Sequence, residues 1–221
     1  MKNARYKIET QTCVSWAHDV DDHPRRGWLS PNSEIYYHRI PKNASSYLSG
    51  ILDEWGWQQT TDLVDLHGRK SICLIRDPMA RWISGITEFL YNINTTVEEI
   101  TASWPLLLRI LKEQPNQDAH TTPQVDYLFG YKLDAFDYFF VSERVTIGKP
   151  LYTWFSTNGC ENKIDRYDRQ NTVESSVLKV AIRDKIVSAL KEDIELTARI
   201  KHYYSSDFEL IDWIGRTKGW K

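Results

Sequence analysis

Cysteine is scarce, and its scarcity is informative. The chain of 221 residues has three, Cys13, Cys73 and Cys160. An odd count at wide spacing excludes a disulfide framework and the close pairs of a zinc knuckle. Cys73 lies inside the apolar run "SICLI" and is expected to be a small core residue. No stretch approaches about 18 consecutive apolar residues, so no membrane span is expected. The opening "MKNARYKIETQT" has no hydrophobic signal-like segment, which points to a reducing cytoplasm as the compartment. A basic excess is also missing. The formal net charge is -2, which argues against nucleic acid as a partner, though a local basic pocket for a small anion stays open. No glycine lies between Gly27 and Gly50, so the GxxxxGK[ST] pattern of nucleoside-triphosphate loops is absent. No repeat or low-complexity segment is seen.

What is present reads as one globular domain, residues 1–221, with a polar extension over 1–34 and a core over 35–214. The extension carries "HDVDDHPRRG" at 18–27, whose histidines and aspartates fit no compact metal-ligand spacing; no metal is expected. "EIYYHRI" (34–40), "SICLI" (71–75) and "FDYFFVSE" (136–143) read as strands. Helices are expected over 45–55, 77–93, 96–113 (interrupted by Pro105), 145–157 and through most of the C-terminal part. Ser45 or Ser46 suits the first N-cap and Asp77 the second, with Pro78 in the first turn. Strands alternating with helices predict an α/β fold, three-layer α/β/α with a central parallel sheet. Ligands of such folds bind beyond the carboxyl ends of the strands.

Two strand-to-helix junctions carry the chemistry. In "PKNASS" (41–46) a loop enters a helix N-terminus, where free N–H groups and the helix dipole favour an anion. Lys42 adds a charge, and Asn43, Ser45 and Ser46 add donors. Alone, the stretch is equally a helix cap beside a surface lysine. In "IRDPMARWIS" (75–84) Arg76 leaves a strand and Ser84 follows eight residues later, two turns into a helix. An arginine there can fork onto a phosphate. Alone, it reads first as a partner of Asp77 or a surface charge, and Ser84 as a helix filler. Two such junctions would suit one ligand with two separate phosphates.

Here the chain resembles the sulfotransferases that use 3′-phosphoadenosine-5′-phosphosulfate (PAPS). Their 5′-phosphosulfate loop reads like "PKTAGTSL", against "PKNASSYL" here, and their 3′-phosphate motif reads like "RDPxxRxxSxY", against "RDPMARWISGI". Arg76, Asp77, Pro78, Arg81 and Ser84 match; the final tyrosine is Ile86. "DAHTTPQVDYL" (118–128), "FDYFFVSERV" (136–145) and "YYSSDFELIDWI" (203–214) are similar to later segments of the membrane-associated carbohydrate sulfotransferases. The resemblance implies a P-loop-like sulfotransferase fold, PAPS as sulfuryl donor without a metal, and a hydroxyl acceptor, foremost a glycan. It implies Lys42, Asn43, Ala44, Ser45 and Ser46 at the 5′-phosphate and Arg76 with Ser84 at the 3′-phosphate. The lack of an anchor implies a soluble microbial or viral relative. For the general base, His120 comes first and His38 second, with Glu88 and Asp118 as lesser candidates or orienting groups. Lys163, Arg166 and Arg169 of the 158–171 loop either close over the nucleotide or are solvated. The rival readings are a nucleotide-dependent phosphotransferase and a non-catalytic glycan-binding module on the same fold.

Overall fold

The computed structural model describes residues 7–9, 12–14, 27–93, 96–141, 148–160 and 176–221. Lys163, Arg166, Arg169 and the 18–26 part of the histidine–aspartate cluster lie outside the described residues. The fold is α/β. In chain order the elements are β1 (Lys7–Glu9), β2 (Thr12–Val14), β3 (Gly27–Leu29), β4 (Ile35–His38), α1 (Ser45–Glu54), β5 (Gln58–Thr60) and β6 (Lys70–Arg76). Then come α2 (Pro78–Ile93), α3 (Val97–Glu113), α4 (Gln124–Tyr127), a 3-10 turn at Leu133–Ala135 and β7 (Asp137–Val141). The chain continues through α5 (Gly148–Thr157), α6 (Val177–Glu192), α7 (Ile194–Tyr203) and α8 (Ser205–Thr217). Among the described residues no helix is long and apolar enough to cross a membrane.

The chain divides into two compact units, one of residues 1–77, 124–170 and 206–221, the other of 78–123 and 171–205. The first contains a five-stranded sheet in the order β5-β3-β4-β6-β7. The sheet is mixed. β4, β6 and β7 run parallel, as the three apolar runs predicted, whereas β3 lies antiparallel between β4 and β5. The expectation of an all-parallel central sheet is corrected by these two short strands. Both are only three residues long and β5 is "QQT", so neither shows the apolar run by which a buried strand is recognised. β3 also falls inside the stretch expected to be a polar extension.

Alternation along the strands assigns the core. Tyr37, Ile72, Leu74 and Phe139 pack with Leu48 and Leu52 of α1 and with Leu151, Trp154 and Phe155 of α5. Their neighbours Tyr36, Cys73, Ile75 and Tyr138 join a second cluster with Leu210 and Ile214 of α8 and with Val125 to Phe136. Successive residues of a strand face opposite ways, so helices cover both faces of this sheet. Burial pushes the Cys73 thiol well above its ordinary pKa, as suits a core residue.

The second unit is helical. Trp82, Ile86 and Leu90 recur on α2 at four-residue spacing and are fully buried, as are Ile100 of α3, Ile182 of α6 and Ile200 of α7. α3 opens with a capping box, Thr96 accepting from the Glu99 N–H while Glu99 accepts from the Thr96 N–H. It runs without a break through Pro105, correcting the expected interruption.

Gly27 is required by packing. A Cβ there would lie 2.3 Å from the buried Tyr36 ring. Gly27→Ala should therefore cost about 1–3 kcal/mol through overpacking. Urea unfolding checks this; an unchanged midpoint would contradict it.

Candidate functional site

The parallel pairing of β4 with β6 sets the geometry of the first junction. His38 is in register with Cys73, so both strands deliver their carboxyl ends to the same edge of the sheet. The chain turns there, the Asn43 N–H reaching the Ile40 carbonyl at 3.4 Å. Lys42 and Ala44 both adopt left-handed backbone, with φ of 67° and 56°. Neither is glycine, and each such residue costs about 1–2 kcal/mol. Left-handed residues of this kind recur in backbone turns that bind anions, but here the Asn43 N–H between them is taken by the Ile40 carbonyl. Arg76, at the end of β6, donates from its guanidinium to the Lys42 carbonyl at 3.1 Å. The structure thus brings two of the motif-bearing segments together.

Ser45 and Ser46 are not N-caps. α1 starts at Ser45, its N-cap is the left-handed Ala44, and no side chain caps it. The correction is one of backbone conformation, since a side-chain N-cap needs extended φ/ψ so that its oxygen can accept from the first-turn N–H groups. Ser45 is buried and Ser46 exposed. The first-turn N–H groups of α1 are therefore left without a side-chain cap.

Asn43 does different work from that expected. It is fully buried, and its amide nitrogen donates to the Leu74 carbonyl (2.7 Å) and to Gln124 Oε1 (2.6 Å). Both amide hydrogens are committed inside the protein, so its side chain has none to offer a ligand. Gln124 is the residue that pattern reasoning quoted but left without a role. Its Oε1 also accepts from the Arg76 N–H (3.0 Å), and its Nε2 donates to the Arg76 carbonyl (2.9 Å). The buried carboxylate of Asp207 in turn accepts from the backbone N–H groups of Gln124 (2.9 Å) and Val125 (3.0 Å). The motif spelling around Gln124 and Asp207 was the available signal.

His38 is also structural. It is fully buried at the end of β4, with Nδ1 3.1 Å from the Tyr36 hydroxyl and Nε2 2.7 Å from the Tyr127 carbonyl. Both ring nitrogens are engaged, so neither is placed to receive a proton from an incoming hydroxyl.

No family model, curated protein or solved structure matches this chain.

The second unit contains Ser84, partly buried on α2, and His120. His120 Nδ1 lies 2.8 Å from Asp118 Oδ2, and Asp118 Oδ1 accepts from the His120 backbone N–H at 2.8 Å. A carboxylate on Nδ1 holds the ring in the tautomer that leaves Nε2 as the acceptor. The His120 side chain is 37% exposed, enough to meet solvent or an acceptor. The loop beneath it is tightly held. Arg81, fully buried, donates to the Thr122 carbonyl at 2.5 Å, and the Tyr204 hydroxyl donates to the Thr121 carbonyl. Gly85, next to Ser84, lets that loop approach α2, since a Cβ there would meet the His120 carbonyl at 2.3 Å. Glu88, one turn further on α2, is held by Lys179 at 2.9 Å, which marks it as an ion-pair partner more than a base.

Partial burial works to raise the Asp118 pKa, but the His120 hydrogen bonds and charge and the Thr121 N–H outweigh it and leave it below the ordinary value. A depressed carboxylate contributes stability that is complete above its unfolded pKa, about 4, and is lost as pH falls through the folded value. Wild type should therefore exceed Asp118→Asn in stability above about pH 4, with the gap closing below it. Melting temperatures from pH 7 to pH 2 check this; a gap that widens in acid would contradict it. For the first junction, Ala44→Gly relieves about 1–2 kcal/mol of left-handed strain. It gives back about 0.4–1 kcal/mol in unfolded-chain entropy. A small net gain in unfolding free energy is expected, and a lower urea midpoint would contradict it.

Proposed function

We propose that this chain is a PAPS-dependent sulfotransferase with a three-layer, P-loop-like fold, acting on an acceptor hydroxyl, foremost of a glycan. The observation that carries this reading is the contact of Arg76 with the Lys42 loop at the uncapped start of α1. A cation, a strained loop and a helix start without a side-chain cap at neighbouring strand ends suit a phosphate-bearing ligand.

When bound, PAPS would supply an activated sulfuryl group on its 5′-phosphate. The residues present fit it, apart from the Asn43 amide. The backbone N–H groups of Ser45 and Ser46 would hold the 5′-phosphate, and the Lys42 ammonium would neutralise the charge that grows there as the S–O bond to that phosphate breaks. Arg76 binds the 3′-phosphate, and Ser84 enters through the resemblance in the same role. His120 Nε2 accepts the proton of the acceptor hydroxyl as its oxygen bonds to sulfur, and Asp118 holds the resulting imidazolium. Ser45 is buried, so its backbone N–H is the donor assigned to it in this reading.

Binding is tested first. Adenosine 3′,5′-bisphosphate at about 100 times its Kd should stabilise the protein by about 2.7 kcal/mol, raising Tm, and Arg76→Ala should abolish the shift. A shift with ATP and Mg²⁺ but none with the bisphosphate would sink the proposal in favour of a phosphotransferase. Labelled sulfate transfer to a glycan panel then separates an enzyme from a binding module. His120→Ala should lower kcat by about 10²–10⁴ while leaving the bisphosphate shift intact.

A further inference from the structure

β4 ends at His38, opposite Cys73, while β6 runs on to Arg76. Leu74 and Arg76 therefore lie beyond the last β4 residue of the ladder. Side-chain amides meet three of their backbone groups instead. The Leu74 carbonyl accepts from Asn43, the Arg76 N–H donates to Gln124 Oε1, and the Arg76 carbonyl accepts from Gln124 Nε2. The same Gln124 oxygen takes the Asn43 amide at 2.6 Å, and the Arg76 guanidinium reaches the Lys42 carbonyl at 3.1 Å. Two cations 34 residues apart in the chain are thus referred to one buried amide. Beside it, Asp207 Oδ2 lies 3.4 Å from Gln124 Nε2 and accepts from the Gln124 backbone N–H.

We infer that Gln124 is a positioning residue for anion binding, one that sets Arg76 and the Lys42 loop in a single geometry so that both cations meet the ligand. The identity of the ligand rests on the sulfotransferase reading; the coupling rests on the hydrogen bonds. The position calls for an uncharged amide. One end accepts from two donors, the other donates to the Arg76 carbonyl, and the Asp207 carboxylate stands beside it. A glutamate of the same shape keeps the acceptors, loses the donor and sets a second negative charge against Asp207. Neighbouring carboxylates resist joint ionisation, so such a pair keeps one proton to higher pH than an isolated carboxyl group. Asp207 receives the Gln124 and Val125 N–H groups, which favour its charged form, so the proton goes to position 124. A protonated glutamic acid again offers one acceptor and one donor, which restores the pattern of the amide.

Calorimetry with adenosine 3′,5′-bisphosphate and, separately, inorganic pyrophosphate tests this on wild type, Gln124→Leu and Gln124→Glu, from about pH 8 to about pH 5, each variant being compared with wild type at the same pH. Gln124→Leu should weaken binding about tenfold or more at every pH. Gln124→Glu should show a similar loss near pH 8 and recover toward wild type as the pH falls, a profile that a merely destabilised fold does not give. If Gln124→Leu does not fold, the glutamate profile decides. Unchanged affinity in the variants that fold overturns the inference, and so does a glutamate deficit that fails to shrink in acid. The two ligands separate this inference from the reading beneath it. If the bisphosphate binds wild type and both variants alike, the positioning role fails and the sulfotransferase reading stands. If pyrophosphate binds with the glutamate profile while the bisphosphate does not bind, the sulfotransferase reading fails and the positioning role stands. If neither ligand binds wild type, both fall.

Discussion

The first unit depends on the buried side-chain amide of Gln124. Its oxygen receives the Asn43 amide and the Arg76 N–H, and its nitrogen donates to the Arg76 carbonyl. One planar group thus fixes the loop after β4 to the end of β6. Asp207 fixes Gln124 in turn by accepting the first N–H groups of α4. A buried carboxylate is costly unless its hydrogen bonds are made, and here the helix start supplies them. Removing the amide would leave several buried donors and acceptors unmatched at about 1–3 kcal/mol each, so the arrangement forms as a whole or not at all.

This network explains how Lys42 and Ala44 keep a conformation that glycine would adopt more cheaply. Strain of that kind persists only where the surroundings over-determine it, and it gathers at sites with a task. Asn43 sits between the two left-handed residues, and its hydrogen bonds to Leu74 and Gln124 clamp the loop from below. The amide in "PKNASS" is best understood as part of the scaffold. If the proposed anion binds here, a loop held this way leaves little ordering to be done on binding.

The legibility of all this in the sequence follows burial. β4, β6 and β7 are apolar runs flanked by turn residues, and their parallel pairing follows from the helices between them. β3 and β5 were illegible because three-residue strands in polar company have no period to detect. Which residues stand at the two junctions was legible, through Lys42 and Arg76, but not their geometry. Nothing in "NASS" announces that alanine takes the cap and that asparagine points inward. His38 was ambiguous for the same reason. Only Tyr36 and the Tyr127 carbonyl, one on the same strand and one 89 residues away, show that its ring is spoken for. Pro105 illustrates the opposite error, because a single breaker weighs less than the capping and packing of the whole helix.

The two units solve the positioning problem by different means. In the first, hydrogen bonds of a buried amide hold a loop of unusual backbone. In the second, close packing does it. Gly85 admits the His120 carbonyl to α2, and Arg81 and Tyr204 take the next two carbonyls of the same loop. An imidazole carried on a surface loop would ordinarily sample many orientations. This one is followed by two residues whose carbonyls are hydrogen-bonded, and its ring is held by Asp118. Such restraint has a thermodynamic cost in buried arginine and lost side-chain entropy that a merely solvated histidine would not require. Under the proposed sulfotransferase reading, that expenditure is the physical reason to rank His120 above every other histidine described as the general base, because pre-set orientation is what such a base needs.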